Sequence, residues 1–196
     1  MKKLKFLNLI VLSVFLFGCG GGGKKKTADE GPDRNYIVNA GFENTLVGWT
    51  TDNGLVKESD PAPNHGELYL YGAEGGPTES YTFQVVDLVS SGLDVSKIDN
   101  GEYSVYYGGW QSGWGNQTDS GRIEISQYDV NGELVAETNM SWFYSNNTWT
   151  KRDNTIALEP SVRTVRYAFR TKKQPDVGVD VDAYLDDAFL HVRENL

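Results

Sequence analysis

The sequence predicts an all-β protein, a β-sandwich of about 8–10 strands, and three observations carry that expectation. Apolar and polar residues alternate with a period of two along most of the chain, while helical spacing is nearly absent. Clusters of Gly, Pro, Asn and Asp punctuate the alternating segments at regular intervals. The 11 Tyr, 5 Trp and 22 Gly suit pleated strands and tight turns, with enough exposed rings left over for a stacking surface.

Taken in order, Glu67-Leu68-Tyr69-Leu70-Tyr71 alternates, and so does Ser80-Tyr81-Thr82-Phe83-Gln84-Val85. Residues 87–99 hold room for a helical turn and nothing longer. Gly101 opens a strand over 102–107, and Gly108-Gly109 is expected to close it. Residues 122–130 lead into Asn131-Gly132, the strongest short hairpin signal, and 133–138 return. That strand is expected to run on through Trp142, Phe143 and Tyr144 to a turn at Asn146-Asn147. Residues 148–158 form the next strand, Pro160 breaks it, and 163–171 alternate cleanly. After a turn around Pro175, residues 179–192 make the last strand.

The first residues read as an export signal. Lys2, Lys3 and Lys5 precede an apolar stretch over 6–17, too short for the ~20 residues that span a bilayer. Leu16-Phe17-Gly18-Cys19 resembles the bacterial lipobox. The resemblance implies cleavage before Cys19 and acylation of its thiol, and Gly20 in place of aspartate implies sorting to the outer membrane. The alternative is a plain signal peptide with an incidental cysteine. Cys19 is the only cysteine, however, so it has no disulfide partner in an oxidising compartment. Residues 1–18 are therefore expected to be a leader. Residues 19–34, rich in Gly, Lys and acidic groups, are expected to be a flexible lipidated tether. One domain follows over 35–196.

Without the three leader lysines, 15 basic residues face 27 acidic ones. That balance speaks against nucleic acid as a partner.

Two stretches carry a family likeness. Val38-Asn39-Ala40-Gly41-Phe42-Glu43, followed by Gly48-Trp49, resembles the opening of jelly-roll carbohydrate-binding modules of the galactose-binding-like superfamily. Ala183-Tyr184-Leu185-Asp186-Asp187-Ala188-Phe189-Leu190 resembles their last strand. Between them, Gln84 to Leu88, the Gly109-Trp110-Gln111-Ser112-Gly113 turn, Asp119-Ser120-Gly121, Trp149 and Arg163-Thr164-Val165-Arg166 resemble the sugar-binding domain associated with F-box proteins. The likeness implies a jelly roll and a carbohydrate ligand. The stretch over 176–182 departs from the F-box-associated domains, being acidic and without aromatics, so their glycan chemistry does not carry over.

Asp186 shares parity with Ala188, Leu190 and Val192, which predicts a carboxylate on the core side that must be paired or metal-bound. Glu43 matches a position that helps hold structural Ca²⁺ in the resembled modules. The expected site therefore comprises Glu43, Asp186 and backbone carbonyls near Gly66, since hard oxygen donors suit Ca²⁺. A hydrogen-bonded carboxylate at a strand end is the alternative.

For a sugar, Trp110 and Trp114 lie in a Gly-rich turn beside Gln111 and Asp119. Rings stack on sugar faces, and amides and carboxylates bind hydroxyls. Trp142 and Tyr144 share a strand face in this reading and are further candidates, while Trp49 and Trp149 read as structural.

Catalysis has little support. His65 and His191 are the only histidines, Cys19 is committed to the anchor, and no nucleophile elbow is present. The sequence thus points to a lipid-anchored, non-catalytic binding module for carbohydrate. The alternative is a structural or protein-binding envelope lipoprotein. A pocket holding Trp114 favours sugar, and a flat apolar patch favours a protein partner.

Overall fold

The computed structural model describes residues 34–175 and 178–195. Cys19, the leader and the tether as far as residue 33 lie outside the described residues.

Ten strands form two antiparallel five-stranded sheets packed face to face, a jelly-roll sandwich. The strands are β1 (Thr50–Thr51), β2 (Leu55–Lys57), β3 (Tyr69–Ala73), β4 (Glu79–Asp87), β5 (Tyr103–Gly113), β6 (Ser120–Asp129), β7 (Leu134–Asn139), β8 (Thr150–Ala157), β9 (Val162–Lys172) and β10 (Val181–Glu194). One sheet has the order β1-β4-β9-β6-β7, the other β2-β3-β10-β5-β8. Among the described residues a single short helix, α1 (Val95–Asp99), is started by the Asp94 carboxylate, which accepts from Ser96 N at 2.7 Å. This is the helical turn expected between 87 and 99.

Alternation explains the core. Val165, Tyr167 and Phe169 of β9 and Ile123 and Ile125 of β6 face Val105, Tyr107, Leu185 and Leu190 of the other sheet. Trp49 is core as expected, stacked on Phe42 at 5.0 Å and edge-on to Tyr167. The buried Tyr167 hydroxyl donates to Gly108 O at 2.9 Å, so the ring crosses between sheets without stranding its polar end.

Three local expectations are corrected. β5 does not stop at Gly108-Gly109 but continues to Gly113. The glycines serve close approach instead: a Cβ on Gly109 would sit 2.7 Å from Leu185 Cδ1, and one on Gly108 would run into Arg152 O. Trp142, Phe143 and Tyr144 do not extend β7. Only Phe143 bridges, to Gly121, through two backbone bonds of 2.9 and 3.0 Å. The hairpin after β6 turns over 130–133, because Asp129 accepts from the amides of Asn131 and Glu133 and closes a longer loop. The two short edge strands β1 and β2 carry too few residues for any periodicity to be read.

Candidate functional site

The outer face of the β1-β4-β9-β6-β7 sheet gathers rings and cations across neighbouring strands. Pleating that turns Thr82 and Gln84 of β4 inward turns Tyr81 and Phe83 outward. On β9, burying Val165, Tyr167 and Phe169 sends Arg166, Arg170 and Lys172 to the same outer face. β6 adds Arg122, Glu124, Ser126 and Tyr128. Trp142 closes the strip, with Arg122 at 4.5 Å and Lys172 at 4.4 Å from its ring.

Register brings Arg122 directly opposite Arg170, and Tyr81 opposite Arg170 on the other side. Two like charges across a ladder repel, so a counter-charge is needed. Glu124, only 5% exposed, supplies it: its Oε1 lies 2.7 Å from Arg122 Nη2 and 3.0 Å from Arg170 Nε. The guanidinium of Arg170 also lies over Tyr81 at 4.6 Å. Arg166 sits among Tyr81, Phe83 and Tyr128 at 5.2 to 5.9 Å and donates to Ser126 Oγ. Burial raises the Tyr81 hydroxyl above its ordinary value despite Arg166 nearby, so the phenol stays neutral and can donate.

Of the residues singled out from the sequence, only Trp142 belongs to this strip. Trp114 is 37% exposed at a cavity of about 170 Å³ lined by Lys57, Asp60, Gln117, Asp180 and Asp182. Asp119 and Gln111 do not line that cavity and are buried, at 1% and 2% exposure. Asp119 accepts from the amides of Gln174 (2.7 Å) and Asp182 (2.9 Å), so it ties the chain just after β9 to the start of β10. Trp110 lines a separate cavity of about 260 Å³ with Tyr106, Lys151, Asp187, Phe189 and His191, on the outer face of the other sheet. Tyr144 is exposed in neither cavity's lining. Trp149 is structural: its indole donates to Ala62 O at 2.7 Å and meets Tyr69 edge-on.

Glu43, Gly66 and Asp186 do come together. Glu43 accepts from the amides of Glu67 and Leu68, and Asp186 from those of His65 (3.0 Å) and Asp187 (2.7 Å). Gly66 is left-handed (φ +66°), and any side chain there would collide with the Glu43 carboxylate. Asp186 does not share the inward parity expected for it, because β10 bulges between Asp186 and Phe189 and Asp187 has φ +44°. Asp186 is fully buried, but beneath the 64–68 loop and not in line with Ala188 and Leu190. Desolvation pushes its carboxyl up to about 6, against the lowering by the His65 and Asp187 amides. The space a Cβ would take at Gly41 is flanked by Asp187 Oδ1 (3.5 Å), Asp186 Oδ1 (3.7 Å) and the Glu43 side chain. These oxygens are the kind Ca²⁺ prefers. Among the described residues, though, no three acidic, His or Cys side chains are placed to hold a metal by themselves. Backbone carbonyls would have to complete such a site.

The rings and cations of the strip were missed because the sequence signal is ambiguous there. In Tyr81-Thr82-Phe83-Gln84 the polar members face the core, the reverse of the usual assignment. The alternating Arg166, Arg170 and Lys172 were the available clue.

No known family model matches the sequence, and no curated protein matches it. Solved structures do. A family 16 carbohydrate-binding module is similar over 80% of this chain and 99% of its own, at 16% identity and a TM-score of 0.57. A family 61 carbohydrate-binding module, solved with β-1,4-galactotriose, covers 83% of this chain and 99% of its own at 16% identity and a TM-score of 0.53. The enzymatically active domain of tailspike protein 4 from bacteriophage CBA120 reaches a TM-score of 0.59 at 14% identity over 81% of this chain, which spans only 21% of that domain. The chain thus has the jelly-roll fold that these carbohydrate-binding modules share.

Proposed function

We propose that the protein is a carbohydrate-binding module, held at the bacterial outer membrane through acylated Cys19, and that it binds glycan without catalysis on the outer face of the β1-β4-β9-β6-β7 sheet. The observation that carries this reading is the strip itself: Tyr81, Phe83, Tyr128 and Trp142 share one face with the Arg122–Glu124–Arg170 network. Rings supply apolar contact to sugar C–H faces, and an ordered carboxylate flanked by guanidiniums supplies acceptors and donors for paired hydroxyls. The sugar-binding neighbours of the same fold support it. Glycan-array binding of the purified protein tests it, with Trp142→Ala expected to weaken binding about tenfold or more while the melting temperature holds. Silence across plant, algal, mucin and peptidoglycan glycans would leave the alternative of a structural or protein-binding lipoprotein.

A second reading places the sugar at Trp114, whose exposed ring borders a polar cavity. In that case Trp114→Ala abolishes binding and Trp142→Ala leaves it intact.

We also propose that Ca²⁺ binds where Glu43, Asp186 and the backbone at Gly66 meet. The cation would neutralise buried charge and brace the 64–68 loop. Melting with and without a chelator is the test, and an unchanged midpoint sinks the idea.

A further inference from the structure

We infer that the strip on the β1-β4-β9-β6-β7 sheet selects an anionic polysaccharide, one carrying carboxylate or sulfate groups; this rests on the glycan-binding reading of that face. Arg122, Arg166, Arg170 and Lys172 lie together on a protein of net charge −9, so their clustering runs against the overall balance. Glu124 neutralises part of the Arg122–Arg170 pair, and Glu79 approaches Arg170 only at 3.7 Å. Among the described residues, Arg166 and Lys172 have no ion-pair partner.

Arg166 lies in the middle of the ring cluster. Its Nε is buried with no hydrogen-bond acceptor, while one Nη donates to Ser126 Oγ at 3.2 Å. Of this guanidinium only Nε is closed off and unpaired, so an incoming anion meets its Nη groups. The guanidinium is already held among the rings of Tyr81, Phe83 and Tyr128, so little side-chain entropy remains to be lost on binding. Two Nη groups in one plane suit the two oxygens of a carboxylate or sulfate. A neutral sugar hydroxyl can also accept from these Nη groups. A charged group, however, also gains from Lys172 and the unbalanced part of the Arg pair.

The test compares matched polymers by titration calorimetry: polygalacturonate against its methyl-esterified form, and dextran sulfate against dextran. The expected result is binding at least about tenfold tighter to one acidic member than to its neutral partner, weakening between about 50 and about 500 mM salt. Which acidic polymer binds distinguishes carboxylate from sulfate as the source of charge. Arg166→Gln is expected to lose that preference, and Lys151→Gln, on the opposite sheet, to keep it. Should Arg166→Gln lose its fold by circular dichroism, Arg166→Lys keeps the charge and removes the fork, and is expected to lose about tenfold. Equal affinity for acidic and neutral partners, or an unaffected Arg166→Lys and Arg166→Gln, overturns the inference while leaving glycan binding intact. Binding to no polymer or arrayed glycan overturns the glycan reading itself, and the inference with it.

Discussion

At the scale of single residues, Asp186 and Gly66 show how a few atoms constrain the loop before β3. Burial holds the Asp186 carboxyl at about 6, above the ordinary 3.8. Between those values the folded protein keeps a proton that the unfolded chain has released, so stability from this group is greatest below the lower value and declines as pH rises to the upper one. Asp186→Asn has no such proton. The stability advantage of the natural protein over the variant, from urea unfolding, is therefore expected to shrink from about pH 3.5 to about pH 7. A flat difference would rule out desolvation as the cause. If Ca²⁺ binds here, millimolar Ca²⁺ flattens that slope by keeping the carboxylate ionised. Gly66 carries a second prediction. Gly66→Ala must adopt a left-handed φ and push against Glu43, costing about 2 kcal/mol or more by the same unfolding measurement. Very little of this was legible in the sequence. Glu43, Gly66 and Asp186 could be grouped by resemblance, but a bulge that switches strand parity leaves no mark on a period-two pattern, and burial of Asp186 comes from a loop more than a hundred residues away in the chain.

At the scale of elements, β5 is the strand the sequence describes least faithfully. Its paired glycines read as a terminus, yet they let the strand pass between β8 and β10. The two differ in what they face. A Cβ at Gly108 would strike the backbone carbonyl of Arg152, whereas at Gly109 the nearest atom is the movable tip of Leu185. Gly108→Ala is expected near the upper end of the roughly 1–3 kcal/mol typical of overpacking, and Gly109→Ala near the lower end. Equal losses in urea unfolding would contradict that reading of the packing. β4 teaches the complementary lesson. Its alternation was plain, but which phase faced the core was decided by Gln84, whose amide donates to Val38 O at 2.6 Å and whose oxygen accepts from Val38 N. A polar side chain whose amide is satisfied in this way can be buried, and that frees Tyr81 and Phe83 for the surface.

For the whole molecule, the prediction concerns the anchor. Cys19→Ser is expected to release the protein from membranes and to abolish labelling by radioactive palmitate, while leaving glycan binding by the sandwich unchanged. Retention of the variant in the membrane fraction would reject lipidation at Cys19 as the tether. What the sequence determined by itself was the all-β class, the positions of the long strands, the short helix and the core aromatic Trp49, because alternation and turn residues are local properties of consecutive side chains. Which residues share a surface was decided only by tertiary structure. Trp110 and Trp114, neighbours in one Gly-rich stretch, and Trp142, grouped with them as a candidate, end at three separate places. Arg122, Arg166 and Arg170, with Tyr81 and Glu124, converge from three strands onto one. The physical reason is that strand order and register are set by non-local burial and ladder pairing, and a face is assembled across strands rather than along them.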